Sequence, residues 1–489
     1  MPGIAKTVLA WHSLAAVIRR VRTHLPEVAA LLLGLLLRIS MATTFNATDG
    51  FDFPGHWTIL EYVATHHALA PLTLTAASYH PPLYYLIGAV GVSLGLGPGA
   101  FGWLAALWGV CRLGVVWVGL ERWLPESRLA RVVALFTAAV LPVGLQLDGM
   151  VTNETLSTLL CALAIVAAPA AIEAARAGRV KPFVWLAVWL GLALITKFSA
   201  SALVLALLMA LVLDLGRSPQ PWRSALRVRW RPLVAGAAII VALSGWFFVR
   251  NQILYGKPAP TGYEGLMVPN QAPYEKIPYL SRRPLAFYWQ WDSAIFSHPY
   301  VPTGTKPQAR FFPVLVASTF SDYYSYCLAA WEAKTPVSYI HHRPVPVRAF
   351  DLSCYSVMGG TVMALLTLLA WFGAASWLRR RPGDPRPVLL IIPLLALLGQ
   401  MHFATKYPND DFGPIKGAYM QFVAPILCGL FGLAVAWMWR RVWARAGAIV
   451  AFAALLLVFV YSADCRLPRF GPGASRAALF FSPRPPARR

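Results

Sequence analysis

Apolar runs of about twenty residues recur along this chain, and they decide what it can fold into. They fall at 25–45, 100–120, 131–147, 155–172, 183–196, 198–215, 232–249, 355–378, 387–404, 418–439 and 446–463. Such a run crosses the ~30 Å hydrocarbon core of a bilayer as one helix. Inside lipid the backbone must satisfy its own hydrogen bonds, which leaves helices or closed barrels. The runs are continuous rather than alternating, which excludes a barrel. The expected fold is all-α, a polytopic helical membrane protein of about eleven transmembrane helices. With 58% hydrophobic and 13% charged residues in 489, a soluble domain could not hide this apolar surface.

The net charge of +23 suggests nucleic acid at first sight. Its distribution excludes that. The cations sit in short clusters between apolar runs, as Arg379–Arg381 and Arg440/Arg441 do, and this is the positive-inside pattern. The segment 82–97 decides the topology. If it does not cross, the clusters Arg122/Arg128/Arg131, Arg176/Arg179/Lys181, Arg217/Arg223/Arg227/Arg229/Arg231, Arg379–Arg381 and Arg440/Arg441/Arg445 share the side of the basic N-terminus. If it crosses, they oppose it. The first arrangement obeys the rule, and Pro81-Pro82 with Gly88, Gly91, Gly95, Gly97 and Gly99 suits a short, interrupted segment. Most carboxylates then face outward. An outward site in a bacterial inner (plasma) membrane is periplasmic.

Residues 1–463 read as one transmembrane domain with a first external loop at 46–99, carrying interfacial helices, and a large Pro- and aromatic-rich external segment at 251–353. Residues 5–20 read as an amphipathic interfacial helix. The run 311–330 reads as interfacial, and the Pro/Arg-rich tail 464–489 as disordered. Of six Cys, Cys111, Cys161 and Cys428 lie in apolar runs as core residues. Cys327 and Cys354 both lie outside, where a disulfide is open to them.

The first external loop carries the chemistry. Residues 46–81 hold Asp49, Asp52 and Glu61 and no Lys or Arg. A carboxylate at the membrane surface can take a proton from a hydroxyl nucleophile. Asp52 is the first choice for such a base, and its competing role is to cap the helix that Phe53-Pro54 opens. Asp49 is the second choice, against a solvated turn residue beside Gly50. His56, one helical turn past Asp52, either holds Asp52 or contacts substrate, or is an ordinary interfacial histidine. Asp148 lies where a span emerges outside, and Asn153-Glu154 opens the next helix. Lys197 and Arg250 each close an apolar run at the outer face, as snorkelling anchors or as phosphate ligands. Lys416 and Tyr419 are a third, weaker pair. His298, His341 and His342 lack metal-ligand spacing, so no metal site is assigned.

The order of these pieces resembles the GT-C superfamily of integral-membrane glycosyltransferases, in the branch of protein O-mannosyltransferases and the lipid A aminoarabinose transferase. The matching pieces are Asp52-Phe-Pro-Gly-His56, then Pro81-Pro-Leu-Tyr-Tyr85, Arg112, and Asp148-Gly-Met-Val-Thr-Asn153-Glu154. Leu194-Ile-Thr-Lys197, Gly245-Trp-Phe-Phe-Val-Arg250-Asn251 with Tyr255-Gly-Lys-Pro258, and Lys416-Gly-Ala-Tyr419 follow. Family members often carry Asp-Glu where this chain has Asp52-Phe53. The resemblance implies transfer of a sugar from a polyprenyl-phosphate donor to a glycan, lipid or protein acceptor, inverting, with an Asp base. It also makes Asp148 a sugar contact or second acidic group. Cations are needed where the leaving phosphate gathers charge. No cofactor is assigned, and a divalent metal is left open. The other readings are a transporter or flippase of a lipid-linked glycan and a non-catalytic assembly scaffold. A transporter would place ionisable groups mid-span and show repeat symmetry; the chain shows no internal repeat.

Overall fold

The computed structural model describes residues 24–50, 52–260, 276–297, 299, 310–323, 347–381, 383–408 and 414–464, and only the backbone at 49, 347–350 and 464. The proposed interfacial helix 5–20, the tail 465–489, Cys327, His298, His341 and His342 lie outside the described residues. So does the stretch from 324 onward of the run 311–330.

Every regular element among the described residues is helical. Nine helices there are long and apolar enough to cross a membrane: Leu25–Thr44, Pro98–Trp123, Glu154–Arg176, Phe198–Gly216, Trp222–Tyr255, Asp351–Arg379, Pro387–Lys406, Gly417–Arg440 and Val442–Ala463. Two of the eleven expected spans are shorter, so the count of eleven is not reached by length. The run 131–147 is broken into Arg128–Val140 and Pro142–Leu147. Pro142 lacks an N–H and drives Leu141 to an extended ψ of 117°, which a helix interior cannot hold. The run 183–196 forms the 14-residue helix Lys181–Leu194, about 21 Å long.

The segment 82–97 forms only the 11-residue helix Leu83–Ser93. That is about 16 Å, half the hydrocarbon thickness. Phe311–Phe320 is shorter still, at 10 residues.

Two apolar cores lie side by side. One is built by the helices Pro98–Trp123, Glu154–Arg176, Lys181–Leu194 and Ser201–Gly216, and reaches Leu60, Tyr84 and Tyr85 of the first loop. The other joins Val133–Leu147, Phe311–Phe320 and the last two helices. Leu25–Thr44 packs against both Pro98–Trp123 and Arg128–Val140. The loop helices Phe53–His66 and Leu83–Ser93 pack on each other, so the first loop is seated on the first core.

Candidate active site

Asp52 precedes helix Phe53–His66 with φ 55° and ψ 23°, a left-handed conformation, and its side chain makes no capping hydrogen bond. Few non-glycine residues sit there, and such strain concentrates at functional positions. The capping role is thus not taken up. The Asp52 side chain is 63% exposed, and its Oδ2 stands 4.0 Å from Lys416 Nζ. Lys416 precedes the 3₁₀ stretch Gly417–Val423. Gly417 is required there, since a Cβ would run into Thr319 and the Ser318 carbonyl. Its N–H donates to Ser318 Oγ at 2.9 Å.

Tyr419 joins the two lysines. Lys197 Nζ lies 5.1 Å and Lys416 Nζ 5.8 Å from its ring centroid. Lys197 in turn pairs with Glu154 Oε1, both buried. Asn153 donates to the Thr196 carbonyl at 3.3 Å, pinning the turn before Lys197. The site therefore holds two carboxylates and two ammonium groups drawn from four distant parts of the chain.

The loop that carries Asp52 holds no Lys or Arg, yet cations reach Asp52 from elsewhere in the chain. Lys416 holds the Asp52 carboxyl below the usual range, and His56 and Lys197 add to the lowering; the surrounding protein opposes this only in part, since the carboxyl itself is largely exposed. Distance in space replaced distance in sequence. His56 is buried and pushed down to about 4, chiefly by burial, with Asp52 opposing. It is uncharged at neutral pH, and its Nδ1 shares a 2.8 Å hydrogen bond with Tyr85 Oη. His80 stacks on it with ring centroids 5.6 Å apart. Burial holds His80 well below its ordinary value too.

Arg250 does not join the lysines directly. It lines a cavity with His80, Tyr85, Asn251, Phe247 and Ile59, and donates to Asn251 Oδ1 at 3.2 Å. Its helix touches the Lys197 segment, for Phe198 packs on Phe247 and Phe248. His80 Nδ1 is buried and has no hydrogen-bond partner among the described residues. Sequence reasoning passed over His80 and Tyr85, although Tyr85 ends the quoted Pro-Pro segment and His80 directly precedes it. Asp49 ends a 3₁₀ turn beside Asp52, and its side chain is outside the described residues.

Asp148 is set apart from this group. It is fully buried, with Oδ2 2.8 Å from Arg38 Nε and 2.9 Å from Arg112 Nη2, which also reaches Oδ1 at 3.2 Å. Arg38 Nη1 donates to the carbonyls of Gly34 and Ala139, and Arg112 Nη1 to Thr158. A methyl added at Gly109 would fall on the Asp148 carboxylate. Two arginines from apolar runs thus enclose the one acid. No cluster of three or more metal-binding side chains occurs among the described residues.

These features define a helical membrane protein with a carboxylate and paired cations at one end of its bundle. Residues 79–247 match the family model of dolichyl-phosphate-mannose-protein mannosyltransferase, and the resemblance to GT-C glycosyltransferases is borne out there. Solved structures that match the chain include ArnT from Cupriavidus metallidurans bound to undecaprenyl phosphate, at 14% identity and TM-score 0.47, covering 91% of this chain and 76% of that one. The same protein in the apo state matches at 15% and 0.47, over 93% and 76%. Arabinofuranosyltransferase AftD from Mycobacteria matches at 15% and 0.46, with 91% of this chain covering 27% of that one. No curated protein matches the chain.

Proposed function

We propose that the protein transfers a sugar from a polyprenyl-phosphate donor to an acceptor hydroxyl at the outer face of the membrane, with inversion and with Asp52 as general base. The observation that carries this reading is the convergence of an uncapped, exposed Asp52 with Lys416, Lys197 and Tyr419. The acceptor oxygen attacks the anomeric carbon and its proton passes to Asp52. The bond from that carbon to the phosphate oxygen breaks, and the polyprenyl phosphate leaves with the electron pair. Lys416 and Lys197 stand where that negative charge grows. Lys416 keeps Asp52 ionised and ready, at some cost in basicity. Arg250 contributes from the adjoining cavity.

The enzymatic reading requires sugar to move. Purified protein in detergent is incubated with radiolabelled polyprenyl-phosphate sugar and acceptor extract. Label should pass to the acceptor with wild type, and Asp52→Asn should abolish most of it. Donor that crosses a reconstituted bilayer without transfer would favour the flippase reading instead.

A further inference from the structure

The helix Trp222–Tyr255 has 34 residues, about 50 Å at 1.5 Å per residue. The hydrocarbon core takes about 30 Å of it. Arg250 lines the cavity near Asp52, so the surplus lies at the other end, roughly 40 Å away along the helix. That end reads Trp222-Arg-Ser-Ala-Leu-Arg-Val-Arg-Trp-Arg231.

Its side chains fall into three ridges. Ala225, Arg229, Pro232 and Gly236 are buried and face the bundle. Arg229 fixes the rotation of the helix, since its Nη2 meets Asp214 Oδ2 at 3.0 Å while Asp214 also binds Arg176. Trp222, Leu226 and Trp230 follow at four-residue steps and are 63%, 38% and 49% exposed. Arg223, Arg227 and Arg231 form the neighbouring ridge and are exposed as well. Arg223 lies over the Trp222 ring at 5.4 Å and Arg231 over the Trp230 ring at 5.7 Å. The acid in reach, Asp214, is taken by Arg176 and Arg229, and none of the three ridge arginines pairs with a carboxylate among the described residues.

We infer that this double ridge binds anionic phospholipid headgroups in the leaflet remote from Asp52. An apolar aromatic ridge suits the boundary between headgroups and acyl chains. The arginine ridge beside it supplies donors that match phosphate oxygens, and a locked helix rotation presents both outward together. The inference is independent of the reaction proposed for Asp52.

The test uses the full chain in nanodiscs of phosphatidylcholine with and without phosphatidylglycerol, reading retained lipid by native mass spectrometry. Wild type should retain phosphatidylglycerol preferentially. The triple change Arg223→Gln, Arg227→Gln, Arg231→Gln should lower that preference by roughly 100-fold, at about 1 kcal/mol per basic residue near an anionic surface. Trp222→Ala with Trp230→Ala should weaken retention of both lipids. A control triple at the exposed Arg379, Arg380 and Arg441 should leave the preference in place. Equal loss in the control would mean diffuse charge and overturn the site. Full retention in the ridge triple would do the same. Displacement of phosphatidylglycerol by millimolar inorganic phosphate would reduce the surface to a plain anion site and overturn its lipid assignment.

Discussion

Asp148 and Asp52 are both aspartates facing two cations, yet they are built for opposite purposes. Asp148 is sealed, with its oxygens on two arginines whose Nη1 atoms donate to two backbone carbonyls and to Thr158. Asp52 is 63% exposed and stands 4.0 Å from a single lysine. A guanidinium holds its charge and geometry permanently, whereas an ammonium on a flexible stem can change partner. The arginine centre locks three segments of the bundle, and the lysine centre keeps a charge available to an incoming phosphate. Arg38 and Arg112 are charges inside spans of the kind expected of a transporter, but both are neutralised within the protein by Asp148.

The widest gap between the two should appear on replacing each acid by its amide. Asp52→Asn should cut turnover per folded protein by roughly 10²–10⁴, with thermal stability close to wild type. Sugar transfer and a detergent melting curve measure both. Asp49→Asn should cost much less, and the reverse order would move the base to Asp49. Asp148→Asn should instead destabilise the fold by about 3–5 kcal/mol, because it strands two buried arginines. A folded, normally melting but inactive Asp148→Asn would erase the distinction and return Asp148 to a sugar contact.

Next in size is the donor contact. Lys197→Ala and Arg250→Ala should each weaken donor binding by about 1.5–3 kcal/mol, the worth of a charge-assisted hydrogen bond. Lys197→Ala also leaves Glu154 buried and unpaired, so Lys197→Ala with Glu154→Gln should regain stability but not affinity. Binding of labelled polyprenyl phosphate to purified variants reads this. Wild-type affinity in both single variants would make the two cations membrane anchors.

The smallest effect concerns pH. Asp52 must be ionised to accept a proton, so activity falls as pH drops through its folded pKa. Lys416 lowers that pKa more than any other neighbour, so the acid limb should lie below the ordinary carboxylate range. Lys416→Gln removes the main lowering influence, so the limb should move upward. An unmoved limb would show that another group sets it.

The spans were legible because a bilayer reads composition over twenty residues, and no distant contact is needed to identify a long apolar helix. The break at Pro142 is a miss, since composition makes 131–147 one span although a residue without an N–H sits inside it. The site was harder. Asp52, Lys197 and Lys416 could be named from their places in motifs, but the cation beside Asp52 could not be inferred from a loop free of Lys and Arg. Charge interacts through space, and Lys416 arrives from the other end of the chain. Asp148 offered a clue that went unused. Arg38 and Arg112 were lone cations in apolar runs, and each needed a counter-ion.

The placement of Lys416 also has a meaning in time. A chain leaving the ribosome presents Asp52, Glu154 and Lys197 within its first half and Arg250 just past it, as successive helices insert. Lys416 is seated only once Gly417 has closed on Ser318 and Thr319, which come from a still later stage of synthesis than the first four. Until then the carboxylate stands without its principal counter-charge. A late step of biogenesis thus completes the first loop's chemistry, and a half-made chain lacks the site's assembled charge balance.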